Sequence, residues 1–140
     1  MLQHLLDPAQ RRLLCQAAQL LTGADGVLDL REEELLRRLR AACGAPELPA
    51  PPADLDALLA RLEPAFPELP ARRALLFELM RFVVADGAID EDELDVIAAI
   101  CRRLDLSRDV YRRCRDLARR LAALEQDALD LVADDEPPPA

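Results

Sequence analysis

Apolar residues recur along the chain at intervals of three and four positions, the spacing that places side chains on one face of an α-helix. No stretch of useful length alternates apolar and polar residues as a half-buried β-strand does. The sequence therefore predicts an all-α fold, a compact helical domain of about six to seven helices. The predicted helices span about residues 8–23, 30–43, 54–62, 70–85, 91–104 and 108–132.

Short capping signals mark several of the predicted helix ends. Asp7 precedes Pro8 and is followed three positions later by Gln10, which is the spacing of a capping box. Ser107 is the predicted N-cap of the last helix, and Gly44 is the predicted residue after the end of the second. The helices therefore have defined ends as well as apolar faces.

Prolines divide the chain into units. Of the 11, four fall in a linker at 45–53, and Pro64, Pro67 and Pro70 predict a second broken stretch. Three more follow an acidic run at the end, so we expect residues 134–140 to be disordered. The predicted domain covers residues 1–133, with a first unit at about 8–44, a second at about 70–104 and a C-terminal helix at about 108–132.

A nine-residue segment occurs twice, at an offset of 61 residues. ADGVLDLRE at 24–32 aligns with ADGAIDEDE at 85–93, and flanking apolar residues such as Leu14 and Leu75 keep the same offset. Such self-similarity predicts two helix–loop–helix repeats of one design. Two copies in a small domain commonly pack about a pseudo-two-fold axis, an arrangement that would bring the two acidic loops together.

The carboxylates of the two DGxxDxxE motifs allow a structural and a functional interpretation. As structure, the second Asp and the Glu of each motif form a capping box at a helix start. Capping does not explain the first Asp, because a helix C-terminus disfavours negative charge. A shared divalent cation would explain it, and oxygen ligands select Ca²⁺, Mg²⁺ or Mn²⁺. The candidate metal ligands are Asp25, Asp29, Glu32, Asp86, Asp90 and Glu93.

These motifs, with their apolar flanks, resemble the tellurite-resistance TerB family over residues 8–122. A similar domain precedes the J-domain of a membrane-anchored DnaJ-type cochaperone. The resemblance implies an all-helical domain of about seven helices with internal duplication and a divalent-metal site at the loop carboxylates. It also implies a non-enzymatic role in stress responses, through assembly with other proteins near the inner membrane surface. The proline linker at 45–53 departs from the family pattern.

Charge is unevenly distributed along a chain whose formal net charge is −9. This acidity argues against nucleic-acid binding, since phosphate backbones are bound by Lys and Arg. Eight arginines nevertheless fall within residues 102–120. They predict either a solvated face with ion pairs such as Asp116 to Arg120, or a basic face for an acidic protein or anionic lipid. The candidate partner-binding residues are Arg112, Arg113, Arg119 and Arg120.

Residues that could support catalysis are few, so we expect no enzymatic activity and assign no catalytic residue. The single histidine, His4, lies near a terminus that should fray. The four cysteines form no CxxC pair and lie on or near apolar helical stripes, which predicts small buried groups rather than zinc ligands or a disulfide framework. A metal-dependent hydrolase is the enzymatic alternative, and it would require a pocket beside the acidic motifs.

No apolar run approaches the roughly 20 residues that cross a bilayer, and residues 1–12 lack a secretory core. We therefore expect a cytoplasmic protein that is not transmembrane, located at most at the periphery of the inner membrane. The last helix carries an apolar stripe whose spacing alternates by four and three residues up to Leu131. That stripe requires a cover, which its own domain would supply, or a second chain, as in a homodimer.

Two functional hypotheses follow from the sequence. The first is a TerB-like stress-response domain that binds a divalent cation through its duplicated acidic loops and mediates protein assembly. The second is a metal-independent helical adaptor that uses an acidic loop face and a basic C-terminal helix to contact proteins or anionic membranes.

Overall fold

A computed structural model describes residues 2–22, 30–44, 54–84 and 91–134 of the 140-residue chain. Within these ranges the chain is all-α, as predicted, with no β-strand. A short 3-10 helix over Gln3–Leu5 precedes six α-helices. Their bounds are Pro8–Thr22 for α1, Leu30–Ala42 for α2, Leu55–Ala65 for α3, Leu69–Val84 for α4, Glu91–Arg103 for α5 and Arg108–Val132 for α6.

Capping interactions confirm several of the predicted helix ends. Asp7 and Gln10 form the capping box: Asp7 Oδ1 accepts from the Gln10 amide at 2.8 Å, and Gln10 Oε1 accepts from the Asp7 amide at 3.0 Å. Ser107 Oγ accepts from the Val110 amide at 3.2 Å at the start of α6. Gly44 follows α2 with a φ of +71°, in the left-handed region typical of this position.

The helix α3 is longer than the sequence predicts. Asp54 caps its start by accepting from the Ala57 amide at 2.8 Å, and the helix continues through Pro64. The prediction that Pro64 begins a broken stretch is therefore wrong. A proline in the last turn removes one main-chain hydrogen bond, and the fully buried side chains of Leu62 and Phe66 on either side stabilise the turn without it.

The helix α4 lies at the centre of the domain, in contact with α1, α5, α6 and the 3-10 helix. The helix α3 packs against α1 and α5, and α2 packs against α1. Burial of a Leu or Met side chain contributes about 1.5–3 kcal/mol, so these contacts provide much of the stability. The buried apolar residues of α4 occupy more than one side of the helix: Ala74, Leu75, Leu76, Leu79, Met80, Val83 and Val84.

The two pairs of helices keep the 61-residue offset of the sequence repeat. The helices α1 and α4 begin 61 residues apart, and so do α2 and α5. Leu14 and Leu75, which correspond at this offset, are both fully buried. Residues 23–29, 45–53 and 85–90, which include the linker and most of both acidic motifs, lie outside the described residues, as do residues 135–140 of the tail. The pseudo-two-fold arrangement therefore stays a prediction.

Glu78, in the middle of α4, ties the N-terminal segment to the core. This residue is only 4% exposed, and its carboxylate accepts from the Leu2 amide at 2.6 Å and from Gln3 Nε2 at 3.1 Å. Arg81 lies 3.6 Å from the same carboxylate, and Arg11 Nε donates to the Gln3 carbonyl at 2.9 Å. The expectation that this terminus frays is wrong, because the buried carboxylate and its donors satisfy one another.

Replacing Glu78 with Ala should lower the free energy of unfolding by about 2–3 kcal/mol, because the half-buried donors of Leu2 and Gln3 lose their acceptor. The matched control is Glu125→Ala, which removes the exposed carboxylate that lies 3.1 Å from Arg81. That variant should change stability by less than about 1 kcal/mol. Urea denaturation followed by circular dichroism measures both changes. Equal effects of the two substitutions would contradict the role assigned to Glu78.

Candidate functional site

The turn between α5 and α6 brings two helix ends together around a cleft. The helix α5 ends in a Schellman motif, in which the Leu106 amide donates to the Cys101 carbonyl at 2.9 Å. Asp105 occupies the left-handed position of this motif, with a φ of +53°. Ser107 then caps α6, so only a few residues separate the two helices. One side of α5, from Leu94 to Arg102, and the first turns of α6 line a cleft of about 530 Å³.

This cleft combines an apolar base with a rim of positive charge. Cys101 and Leu106 are buried at its base, and Leu94 and Ala98 are half-buried beside them. Among the described residues, the lining contains four arginines and one acidic residue, Asp95, which gives a formal charge of +3. The arginines are Arg102, Arg108 and Arg112, which are exposed, and Arg115, which is half-buried. We refer to this surface as the basic cleft.

Tyr111 stabilises one of these cations from inside the basic cleft. The guanidinium carbon of Arg115 lies 6.0 Å from the centre of the Tyr111 ring, at the outer limit of a cation–π contact. Burial raises the pKa of Tyr111, so its hydroxyl stays protonated at neutral pH. The aromatic residue therefore adds an apolar surface to the basic cleft without reducing its charge.

The four predicted partner-binding arginines are all exposed, and they lie in two rows along α6. Residues seven positions apart share one side of a helix, whereas adjacent residues are separated by about 100°. Arg112 and Arg119 therefore form one row, and Arg113 and Arg120 form another. Only Arg112 of the four lines the basic cleft.

Three arginines of the basic cleft were not among the predicted partner-binding residues. Arg102 comes from the end of α5, whereas Arg108 and Arg115 come from α6. The sequence feature that could have identified Arg102 and Arg108 is the short connection between α5 and α6, because it places both residues near one turn. Within the described part of the chain, the expected ion pair between Asp116 and Arg120 does not form, and Asp116 lies 3.4 Å from Arg115 instead.

The predicted metal ligands fall almost entirely outside the described residues. This applies to all four aspartates, Asp25, Asp29, Asp86 and Asp90, and to the side chain of Glu32 in α2. Glu93 lies in the first turn of α5 and is half-buried. Among the residues that the structure describes, no group of three or more His, Cys, Asp or Glu side chains could hold a metal ion. The cation site at the loops therefore stays a prediction from the sequence.

A second cleft, of about 560 Å³, lies between α2, α4 and α6, and its charges are largely paired. Glu34 lies 3.2 Å from Arg38, and Arg81 lies 3.1 Å from Glu125. A hydrogen bond from Arg37 lowers the pKa of Glu34 to about 2, so this carboxylate is ionised at neutral pH. Because its opposite charges neutralise one another, this cleft presents no strong field of one sign.

All four cysteines are buried free thiols, which confirms the prediction that they are small core groups. The thiols of Cys15 of α1 and Cys43 after α2 interact with each other. This interaction, assisted by the charge of Arg11, lowers the pKa of Cys43, whereas the same interaction and burial raise that of Cys15. Burial raises the pKa of Cys101 to about 11, and that of Cys114 also rises. Thiolate character is therefore greatest at Cys43.

In the folded protein at neutral pH, iodoacetamide should alkylate Cys43 before Cys101. The thiolate is the nucleophile, and its fraction rises as the thiol pKa falls. Mass spectrometry of peptides from a time course measures the order of labelling, and the same reaction in urea serves as the control, where all four thiols should react at similar rates. Labelling of Cys101 ahead of Cys43 would contradict the opposite pKa shifts of the two thiols.

Comparison with known proteins adds no family assignment. No protein-family model matches the chain, and neither a curated protein nor a solved structure matches it. Among the helices of the described ranges, none is both long and apolar enough to cross a membrane. The resemblance to the TerB family stays a prediction that rests on the two DGxxDxxE motifs and their apolar flanks.

Proposed function

We propose that this protein is a non-enzymatic helical adaptor whose basic cleft binds an acidic segment of a partner protein. The observation that carries the proposal is the convergence of four arginines on one cleft with an apolar base. Arginine donates to carboxylates through a planar, bidentate group, so acidic side chains of the partner would bind at the rim. An apolar side chain of the same segment would be buried against Leu94 and Ala98.

A protein segment suits the basic cleft better than a nucleic acid or a lipid surface does. The chain's net charge of −9 opposes the approach of a long polyanion such as a duplex. Tyr111 is the only aromatic residue in the lining, which leaves little surface for stacking bases. Lipid headgroups present a broad surface, whereas the basic cleft is concave and can enclose a side chain. These features favour a short acidic and apolar segment.

Reversing the charge at Arg112 should weaken binding of such a segment about fivefold, and adding Arg108→Glu should bring the loss to about tenfold or more. The probe is a fluorescein-labelled peptide of alternating Glu and Leu residues, and fluorescence anisotropy measures its dissociation constant. Raising the salt concentration should weaken binding to the unaltered protein, because the contacts are between exposed charges.

The control for this experiment is Arg119→Glu, which makes the same charge change seven residues along the same row but outside the basic cleft. Affinity should stay within about twofold of the unaltered protein. Equal losses for Arg112→Glu and Arg119→Glu would contradict binding in the cleft. Preferential binding to vesicles that contain phosphatidylglycerol, with no binding of the peptide, would replace the proposed protein partner with a membrane.

A second candidate function is divalent-cation binding at the acidic loops, which the duplication of the DGxxDxxE motif favours. Asp25 and Asp86 are the informative residues, because helix capping accounts for the other carboxylates and not for these two. Together with the resemblance to the TerB family, such a site supports the proposal of a cytoplasmic stress-response role in protein assembly near the inner membrane surface.

Titration calorimetry of the EDTA-treated protein with Ca²⁺, Mg²⁺ and Mn²⁺ tests this candidate. Saturable binding should raise the stability by about 2.7 kcal/mol at a hundredfold excess over the dissociation constant. Asp25→Asn with Asp86→Asn should abolish the binding heat, whereas Asp56→Asn with Asp130→Asn, at exposed positions of α3 and α6, should not. Unchanged affinity in the first pair would remove Asp25 and Asp86 from the ligand set.

A further inference from the structure

The second half of α6 is not covered by its own domain. Every residue from 123 to 134 is exposed, and Leu124, Leu129 and Leu131 are 65%, 63% and 76% exposed. Six of the ten residues from 123 to 132 are apolar. A short helical segment without packing is marginal in water, and a contiguous exposed apolar surface is typical of an interaction site.

The exposed apolar residues continue a heptad pattern that begins inside the domain. From Val110 onward the apolar positions advance by four and three residues in turn, which is the spacing of a two-helix coiled coil. The helix α6 contacts its own domain through a neighbouring side that carries Ala118 and Glu125. The apolar stripe beside that contact side is not fully covered by the domain, and we name it the α6 seam. It consists of Leu117, Leu121, Leu124, Ala128 and Leu131.

The first half of α6 is basic and the second half is acidic. Residues 108–120 contain six arginines and two aspartates, a formal charge of +4. Residues 121–134 contain four acidic residues and no basic one, a formal charge of −4. The row of residues directly beside the seam repeats this order, since Arg113 and Arg120 are followed at the same seven-residue interval by Asp127 and Asp134.

We propose that a second copy of this chain covers the α6 seam, with the two α6 helices antiparallel about a two-fold axis between residues 122 and 123. In this register Leu121 of one copy lies opposite Leu124 of the other, and Leu117 lies opposite Ala128. Each contact forms twice, as a closed two-fold interface requires. The leucines of the seam that are exposed in one chain, Leu117, Leu124 and Leu131, are then buried between two.

The same register pairs the charges that flank the seam. Positions directly before the first apolar residue of each heptad face one another in an antiparallel coiled coil. Arg120 of one copy therefore faces Asp127 of the second copy, and Arg113 faces Asp134 of the second copy. The basic half of each α6 lies along the acidic half of the other, which satisfies the opposite charges of +4 and −4.

The competing arrangements place like charges together. A parallel pair would align the two basic halves and the two acidic halves. Its opposite-charge pair beside the seam, Arg120 with Glu125, would compete with the contact that Glu125 already makes with Arg81 of its own chain at 3.1 Å. An anionic membrane would meet the acidic half of α6, where the exposed leucines lie, and would be repelled by it. The antiparallel dimer is the arrangement that buries the seam and pairs its charges at once.

The arginines of the basic cleft take no part in this interface. Arg108, Arg112 and Arg115 lie off the row that contains Arg113 and Arg120. Binding of an acidic segment and pairing of two chains therefore use different residues. Either proposal can fail without the other.

Sedimentation equilibrium of the purified full chain tests the dimer. The unaltered protein should pass from monomer to dimer as its concentration rises, and Leu124→Asp should raise the dissociation constant about a hundredfold. Leu124 is exposed within one chain, so circular dichroism should show an unchanged fold. Leu131→Asp, nearer the end of the helix, is the second variant and should weaken the dimer as well.

Charge exchange tests the orientation. Arg120→Asp alone and Asp127→Arg alone should each weaken the dimer about fivefold, because each places like charges opposite one another twice. The two substitutions together should restore the affinity, since they exchange the signs of an antiparallel pair. Arg119→Asp, the neighbouring residue outside the seam, is the control and should leave the dimer unchanged.

Several outcomes would overturn the proposal. A monomer at every concentration, or a dimer that Leu124→Asp does not weaken, would exclude the seam as the contact. Failure of the double charge exchange to restore affinity would exclude the antiparallel register. Binding of the monomer to phosphatidylglycerol vesicles with loss on Leu124→Asp would assign the seam to a membrane. In each case, anisotropy with the acidic peptide still reports on the basic cleft separately.

Discussion

A helix that is apolar on more than one side must be covered on each of those sides, and α4 imposes this requirement on the whole domain. Leu75, Leu76, Leu79 and Met80 are all fully buried, although they point in different directions around the helix axis. The helices α1, α5 and α6 all pack against α4. The 3-10 helix also packs against α4, and Glu78 accepts hydrogen bonds from the Leu2 amide and the Gln3 side chain there. The arrangement of the other helices follows from the requirement to bury the apolar sides of α4.

The geometry of α6 then follows from the difference in length between it and the helix it covers. At 1.5 Å per residue, the 25 residues of α6 extend about 38 Å, whereas the 16 residues of α4 extend about 24 Å. A straight α6 therefore extends beyond the surface of α4 that buries it. Its beginning lies beside the end of α5 and contributes to the basic cleft, and its end carries apolar residues that nothing in the described chain covers. One long helix thus contributes to packing and supports both proposals.

Helix positions were predictable because apolar spacing and capping residues act over only a few positions. Asp7 with Gln10, and Ser107, identified helix starts correctly, since a side-chain cap depends on its immediate neighbours. Pro64 misled the prediction, because the burial that stabilises its turn involves residues distant in sequence. The contact of Glu78 with Leu2 spans 76 positions and leaves no local pattern. The basic cleft likewise unites residues of two helices, so only Arg112 of its arginines was predicted.

The basic cleft has a further property that follows from the composition of its cations. All of them are arginines, and the chain contains no lysine at all. A guanidinium group is not deprotonated in proteins, whereas a lysine can lose its charge when it is buried. Lysine acetylation, a common means of switching off a basic surface, has no target in this chain. Regulation of binding there would come from another group of the lining, such as the hydroxyls of Ser107 and Tyr111, or from protonation or phosphorylation of the segment that the partner presents.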